Sequence, residues 1–318
     1  MPTERYDGLC LMTVHAHPDD EASKGAGTVA RYHAAGVRTV LVTCTGGEEG
    51  DILNPAMDRP EVRDDLPEIR RQELARATAL IGYDEVVMLG YRDSGMPDTP
   101  ANADPRSFAR APLDEAVGRL VEVIRRERPQ VMVTYHRDQR GYPHPDHLRV
   151  NEISEIAFDA AGDPDRYPDA GPPWQPARLC YVQWSVKRMR AMHEKFLELG
   201  LESPYTGERM ARWLQAEAEE QSGERELLPR IVVDITDHAA VVREGLLAHA
   251  TQVDPNSRHW FGLPPEIADR VYPYEEYEVA RDLTGAGPSL TEPVYDLFAG
   301  VDTARAAGAG RTPAGREA

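Results

Sequence analysis

Two short stretches of the chain concentrate side chains that can hold a metal ion and move a proton. The first is His15-Ala16-His17-Pro18-Asp19-Asp20-Glu21, and the second is Gly141-Tyr142-Pro143-His144-Pro145-Asp146-His147. Each combines imidazoles with carboxylates. A catalytic zinc ion takes three nitrogen or oxygen ligands and keeps a further position open, so two imidazoles and one carboxylate drawn from these stretches would suffice. Either stretch alone has a plainer reading, because proline in the first turn with carboxylates against the positive end of the dipole is also how a helix starts. Two such clusters, each pairing His with Asp at the end of a strand, make a metal centre the better expectation.

The elements that must position these clusters follow from the hydrophobic pattern. Apolar runs at residues 9–14, 38–44, 85–89 and 131–135 read as strands. Helical stretches at 21–35, 67–81, 112–128 and from His147 to 161 separate or follow them, with Gly36, Gly82 and Pro129 as stop signals. Continuous apolar strands alternating with helices predict βαβ units: a Rossmann-like α/β fold with a mostly parallel sheet and helices on both faces. Ligands of such sheets sit beyond the carboxyl ends of the strands. The first strand delivers the first cluster to that edge, and the fourth delivers Tyr135 and then the second cluster. After a Pro/Gly/Asp-rich connection at 163–176, a strand at 178–184, a helix at 187–199, a strand at 230–235 and a helix at 238–251 predict a C-terminal α+β extension. The expected division is a core at 1–175, an extension at 176–300 that shapes the substrate pocket, and a flexible Ala/Gly/Arg-rich tail at 301–318. The acidic segment 202–226 is expected to be partly mobile.

Bulk composition narrows the partners. The chain has 318 residues and a formal net charge of −18, a poor match to a phosphate backbone or an anionic membrane surface. No apolar run approaches the ~20 residues of a membrane span. Three widely spaced cysteines, Cys10, Cys44 and Cys180, argue for a reducing compartment and a cytoplasmic protein. Gly46-Gly47-Glu48-Glu49-Gly50 follows a strand, but two glutamates would repel phosphate and the G-x-G-x-x-G order is missing, so a phosphate loop is rejected. His15 is expected to support a ligand or to lie in the core. Among 36 Lys and Arg residues, lysine stands only at 24, 187 and 195, which draws attention to Lys24 beside the first cluster.

His17-Pro18-Asp19-Asp20-Glu21 together with His144-Pro145-Asp146-His147 resembles the paired signature of the zinc-dependent N-acetylglucosaminyl deacetylases (the PIG-L/LmbE-like family) related to the phosphatidylinositol-glycan de-N-acetylase. The likeness extends through Thr43-Cys44-Thr45-Gly46-Gly47-Glu48-Glu49-Gly50, Arg70-Arg71-Gln72-Glu73-Leu74, Arg92-Asp93-Ser94-Gly95-Met96 and His249-Ala250-Thr251-Gln252. That set is similar to the mycothiol branch of actinobacteria, which holds a biosynthetic deacetylase and an S-conjugate amidase. Ala22-Ser23-Lys24-Gly25-Ala26 and the segment 51–58 resemble the amidase side of the branch.

The resemblance implies His17, Asp20 and His147 as metal ligands, Zn²⁺ as the ion with Fe²⁺ as the alternative in the cell, and Asp19 as general base. A metal lowers the pKa of its water, and a carboxylate beside it can take the proton. His144 is the expected donor to the oxyanion and to the leaving amine, Asp146 the residue that orients an imidazole, and Tyr142 an additional phenolic donor. Lys24, Arg70 and Asp93 are the expected substrate contacts, the latter two with sugar hydroxyls. The implied reaction is hydrolysis of the glucosamine–acylcysteine amide of a mycothiol S-conjugate, in detoxification or natural-product biosynthesis. The alternatives are deacetylation of N-acetylglucosaminyl-inositol and a non-catalytic metal-binding module. The expected partner is a small molecule, with no nucleic acid and no membrane; a homo-oligomer is left open.

Overall fold

The computed structural model describes residues 6–138, 142–224 and 226–302, apart from the side chain of Arg209. Gly141 and most of the tail lie outside the described residues. The first half runs β1 (Cys10–His15), α1 (Asp20–Ser23), α2 (Ala26–Ala34), β2 (Arg38–Thr45), α3 (Pro60–Asp64), α4 (Leu66–Ile81), β3 (Glu85–Tyr91), α5 (Pro100–Ala103), α6 (Leu113–Glu127), β4 (Val131–Tyr135) and α7 (Pro145–Ala161). The second half adds β5 (Arg178–Gln183), α8 (Val186–Glu198), α9 (Gly207–Ser222), β6 (Arg230–Asp234), α10 (Ala239–Ala248), α11 (Arg258–Phe261), α12 (Pro265–Val271) and β7 (Tyr274–Asp282).

One seven-stranded sheet has the order β3-β2-β1-β4-β5-β7-β6. The first five strands are parallel; β7 pairs antiparallel to β5, and β6 antiparallel to β7. The sheet is thus α/β and mostly parallel, and it runs on through β5 into the C-terminal half. Alternation along β1 explains why its whole run is apolar. Cys10, Met12 and Val14 pack with Leu120 of α6 and Phe158 of α7, whereas Leu11 packs with Val29 of α2, Ile81 and Leu246 of α10. Both faces are covered, so every position of the strand is buried.

The topology reverses at β1. From there the chain steps outward to β2 and β3, then crosses back to β4 on the other side of β1, with Leu11 opposite Val131 and Thr13 opposite Val133. That is a topological switch point, where the loops leaving two adjacent strands diverge and leave a crevice. The loops leaving β1 and β4 carry the two His/Asp clusters.

Three local differences from the sequence reading have physical causes. The helix expected over 21–35 is two helices, broken at Lys24 and Gly25, because Gly25 takes φ +108°. A side chain is disfavoured there by the backbone and would begin 3.1 Å from the Tyr277 hydroxyl. The segment expected to be partly mobile contains the helix Gly207–Ser222, whose Met210 and Trp213 pack on Met189, Phe196, Tyr205 and Leu263. Its acidic residues mask that three-residue apolar spacing. Strand β7 lies where no element is expected, and its Glu275 is buried and accepts hydrogen bonds from the N–H groups of Gly27 (3.2 Å) and Thr28 (2.8 Å) at the start of α2. A carboxylate there satisfies amides that the helix itself cannot.

Candidate active site

Beyond β1 the backbone turns sharply. The Ala16 carbonyl accepts from the Thr45 N–H (2.9 Å) and hydroxyl (2.9 Å) at the end of β2, and the Ala16 N–H donates to the Tyr135 hydroxyl (2.7 Å) at the end of β4. Three adjacent strand ends thereby fix the point from which the cluster leaves. Tyr135 in turn donates to Asp20 Oδ2 (2.6 Å), which also accepts from the His17 N–H at 3.0 Å. Asp20 Oδ2 lies 3.5 Å from His17 Nδ1 and 3.5 Å from His147 Nε2. The Tyr135 ring stacks on His147, with centroids 4.3 Å apart and planes within 6°. Donor atoms of His17, Asp20 and His147 all lie within 4.8 Å of one another, and all three residues are buried.

A second convergent group, His17, Asp93, His144 and Asp146, shares His17. The two groups use opposite sides of its ring. His17 Nε2 faces Asp146 Oδ2 at 3.2 Å and Asp93 Oδ1 at 3.5 Å, whereas Nδ1 faces Asp20. Asp146 is itself fixed, because the Ser94 N–H donates to it at 3.0 Å and the Ser94 hydroxyl donates as well. With Nε2 hydrogen-bonded to a held carboxylate, Nδ1 is left to face Asp20, and it can serve as a donor atom to a cation that displaces its proton. In metal sites a carboxylate held on one ring nitrogen orients the imidazole for an ion at the other, and the His17–Asp146 contact has that form. Asp93 is tied through the N–H groups of Gly95 (2.8 Å) and Glu49 (3.3 Å).

The electrostatics fit a cation. Burial opposes charge on His17, yet hydrogen bonds to Asp146, Asp20 and Asp93 hold its pKa well above the ordinary value. Burial would raise the pKa of Asp20, but Lys24 and His147 bring it well below. Burial pushes His147 down to about 4 despite Asp20, so at neutral pH it is the uncharged imidazole that binds metals. Two nitrogens and one carboxylate oxygen, surrounded by further carboxylates, are a donor set that a divalent metal satisfies.

Asp19 stands apart from these donors. It adopts φ +114°, rare for a residue with a side chain, and its side chain is 30% exposed. Burial nonetheless raises its pKa, and the positive Arg70 guanidinium, 3.2 Å away, pulls it partly back. Arg70 is buried: it donates to the carbonyls of Gly47 (2.5 Å) and Pro18 (2.6 Å). A Cβ on Gly47 would lie 2.3 Å from the guanidinium, so the glycines after β2 make room for an arginine. Arg70, expected beside sugar hydroxyls, serves the loops that carry Asp19 in this arrangement.

His144 caps α7, its Nδ1 accepting from the Asp146 N–H at 3.2 Å, which leaves Nε2 to carry the proton. Its ring lies 4.6 Å from that of His17. Burial and the His17 charge both lower its pKa. Tyr142, 54% exposed, lies 5.4 Å from the His147 ring. The Lys24 ammonium donates to Asp20 Oδ1 at 2.5 Å and to the Ser23 hydroxyl at 3.1 Å. Lys24, Tyr142 and His147 line a cavity of about 940 Å³.

Sequence reasoning missed a further buried pair. Glu21 accepts from the strained Asp19 N–H at 2.9 Å through one oxygen and contacts His249 Nε2 at 2.5 Å through the other. Both side chains are fully buried, and each supports the charged form of the other against burial. They sit 228 residues apart in sequence, and only their presence within two noted motifs hinted at a link. Among the described residues, fully buried His15 has no hydrogen-bond partner at either ring nitrogen, and burial takes its pKa down to about 4.

Residues 12–158 match the family described as PIG-L: GlcNAc-PI de-N-acetylase. The chain is 42% identical over 301 residues to the mycothiol S-conjugate amidase of Streptomyces coelicolor, covering 93% of this chain and 98% of that protein. It is 40% identical over 298 residues to the 1D-myo-inositol 2-acetamido-2-deoxy-alpha-D-glucopyranoside deacetylase of Streptomyces avermitilis, covering 92% and 97%. Among solved structures, N,N'-diacetylchitobiose deacetylase from Pyrococcus horikoshii superimposes with a TM-score of 0.55 at 17% identity, over 85% of this chain and 83% of that one, and shows the shared fold. With two relatives matched at this identity along nearly their whole length, the chain belongs to the GlcNAc-PI de-N-acetylase family and is a hydrolase of amide bonds.

Proposed function

We propose that this protein hydrolyses the amide between glucosamine and the acylated, S-substituted cysteine of a mycothiol conjugate, releasing a mercapturic acid and glucosaminyl-inositol. The observation that carries the reading is the cavity. At about 940 Å³ it continues from His147, Tyr142 and Lys24 onto residues of α8, α9 and α11, which gives room for an acyl arm longer than acetyl. The Streptomyces coelicolor relative supports the same reading by name, and the Streptomyces avermitilis relative supports its competitor, N-acetylglucosaminyl-inositol deacetylation. Three buried free cysteines fit a reducing, cytoplasmic setting.

His17 through Nδ1, Asp20 through Oδ2 and His147 through Nε2 would hold the ion, which we take to be zinc. When bound, it supplies Lewis acidity that activates water near neutral pH and polarises the scissile carbonyl. Asp19, partly exposed and with a raised pKa, takes the proton of the attacking water as the new C–O bond forms. Neutral His144 donates its Nε2–H to the carbonyl oxygen as negative charge builds there, and Tyr142 offers a second donor from the rim. Asp19, rather than the His144 expected for this step, then returns its proton to the glucosamine nitrogen as the C–N bond breaks, because neutral His144 has only the Nε2–H that it donates to the carbonyl oxygen. Asp146 keeps the His17 ring in register. Asp93 and Arg70 border the same loops, Asp93 within reach of a sugar hydroxyl and Arg70 holding Asp19.

Lys24 has three donors, of which Asp20 and Ser23 take two. The third is available to the carbonyl-rich acylcysteine arm. The test is kcat/KM for a mycothiol S-conjugate and for N-acetylglucosaminyl-inositol on the zinc-loaded protein. A preference for the conjugate is expected, and Lys24→Ala should cost it about tenfold or more, the scale of a charge-assisted hydrogen bond, beyond any loss on the smaller substrate. Preferential deacetylation of N-acetylglucosaminyl-inositol would overturn the reading.

A further inference from the structure

The hydrolytic residues account for only part of the cavity. Another part is walled by rings that converge from separate elements of the C-terminal half: Trp184 at the end of β5, Trp213 on α9, and His259 and Trp260 on α11. Trp184 stacks on His259 with centroids 5.8 Å apart and planes 16° from parallel. Trp260 meets Trp184 edge-on at 5.6 Å and His259 edge-on at 4.6 Å. The Arg188 guanidinium lies over Trp184, 5.2 Å from the ring centroid.

These rings are supported from behind. Trp184 and Trp213 pack on the cluster of Met189, Phe196, Tyr205 and Leu263, and Trp260 packs on the core beneath the sheet. Yet all four rings stay only half-buried. An indole seated on a core and part-exposed to the cavity is a preformed contact surface, and it loses little entropy when something flat is laid against it. Ring systems prefer offset-stacked or edge-to-face partners, and this wall offers both. The glucosamine amide must lie at the metal, so what reaches along the cavity from the acyl side is the cysteine and its sulfur substituent.

We propose that this aromatic wall is the subsite for the S-substituent and that it selects planar aromatic S-groups over small ones. The proposal rests on the amidase reading and deepens it by naming the class of conjugate. The zinc-loaded full-length protein would be assayed with S-(naphthylmethyl) and S-methyl mycothiol conjugates, as wild type, Trp184→Ala and Trp260→Leu, with zinc content and thermal unfolding checked for each variant. Wild type is expected to favour the naphthylmethyl conjugate by about tenfold or more, the size of one good aromatic contact. Each folded variant should lose most of that preference while the S-methyl conjugate changes less than about twofold. Equal losses on both conjugates, or no loss on either, overturn the proposal, as does a selective rise in KM for N-acetylglucosaminyl-inositol, which would mean that the wall stacks a polyol ring.

A binding experiment separates this failure from failure of the amidase reading. Tryptophan fluorescence of the same proteins would be titrated with N-acetyl-S-(naphthylmethyl)cysteine and N-acetyl-S-methylcysteine. Tighter binding of the aromatic thioether by wild type, lost in Trp184→Ala, upholds the subsite even if neither conjugate is cleaved. Indistinguishable binding of the two thioethers removes it.

Discussion

The buried network behind His147 and the aromatic wall of the cavity are built on opposite terms. Around His17 nearly every polar atom is buried and tied to another side chain or amide: Asp20 to Tyr135 and Lys24, Asp146 to Ser94, Glu21 to His249. Around Trp184 the rings are half-open and touch through faces and edges. Desolvated charges are costly unless every one is answered, so the hydrolytic part must be a closed network with one geometry. Apolar rings carry no such penalty, and their contacts are graded and replaceable. Substitutions in the first part should therefore act as switches, and those in the second as adjustments of substrate preference.

The largest effect is expected where the network meets the metal. His147→Ala should lose bound metal and reduce turnover to background, as read by metal analysis and kcat. Asp19→Asn should keep the metal and lose ~10²–10⁴ in kcat, the usual worth of a general base. If Asp19→Asn sheds its metal, or His147→Ala keeps full occupancy, the division between ligand and base is wrong. His144→Ala, on the same logic, should fall ~10²–10³ in kcat with a smaller change in KM, as for an oxyanion donor.

A smaller effect concerns stability. His15 is neutral when folded, with its pKa down at about 4 through burial, and near ~6.5 when unfolded. The unfolded state therefore binds the extra proton between those values, and stability present above pH ~6.5 is lost as pH falls toward ~4. The full loss is on the order of 3 kcal/mol. His15→Phe should flatten urea-unfolding free energies over that range in the metal-free protein; an unchanged slope would mean the imidazole is not held neutral.

The smallest expected effect separates the role of Arg70 in holding Asp19 from one in holding a sugar. Burial sets Asp19 above the ordinary carboxylate range and Arg70 counteracts it. Activity needs the ionised carboxylate, so kcat/KM should fall as pH drops through the Asp19 pKa. Arg70→Met should move that acidic limb to higher pH, provided circular dichroism confirms the fold. A rise in KM with an unmoved limb would instead favour a sugar contact.

Much of this architecture can be read from the chain because parallel strands covered on both faces must be continuously apolar. Residues 9–14 and 131–135 therefore announce β1 and β4, and the His/Asp clusters that follow fall at a ligand-bearing edge for a topological reason. What sequence hides is whatever depends on distant partners. Gly47 is excluded from a phosphate loop by the glutamates beside it, but nothing local shows that it makes room for Arg70, 23 residues on. Glu275 lies in a stretch to which the hydrophobic pattern assigns no element, and the Thr28 amide it meets is 247 residues away. Glu21 and His249 each look local, and the aromatic wall is assembled from residues of β5–α8, α9 and α11 that share no motif. The acidic face of α9 further conceals the apolar spacing that brings Trp213 to that wall.

The central claim is that one ring nitrogen of His17 faces the metal while the other is held by Asp146. Anomalous diffraction at the zinc edge from crystals of the zinc-loaded protein tests it most directly. One peak is expected roughly 2.0–2.2 Å from His17 Nδ1, Asp20 Oδ2 and His147 Nε2. A peak instead among His17 Nε2, Asp93, His144 and Asp146 would contradict it, because the residue assigned to donate to the oxyanion would then be a ligand.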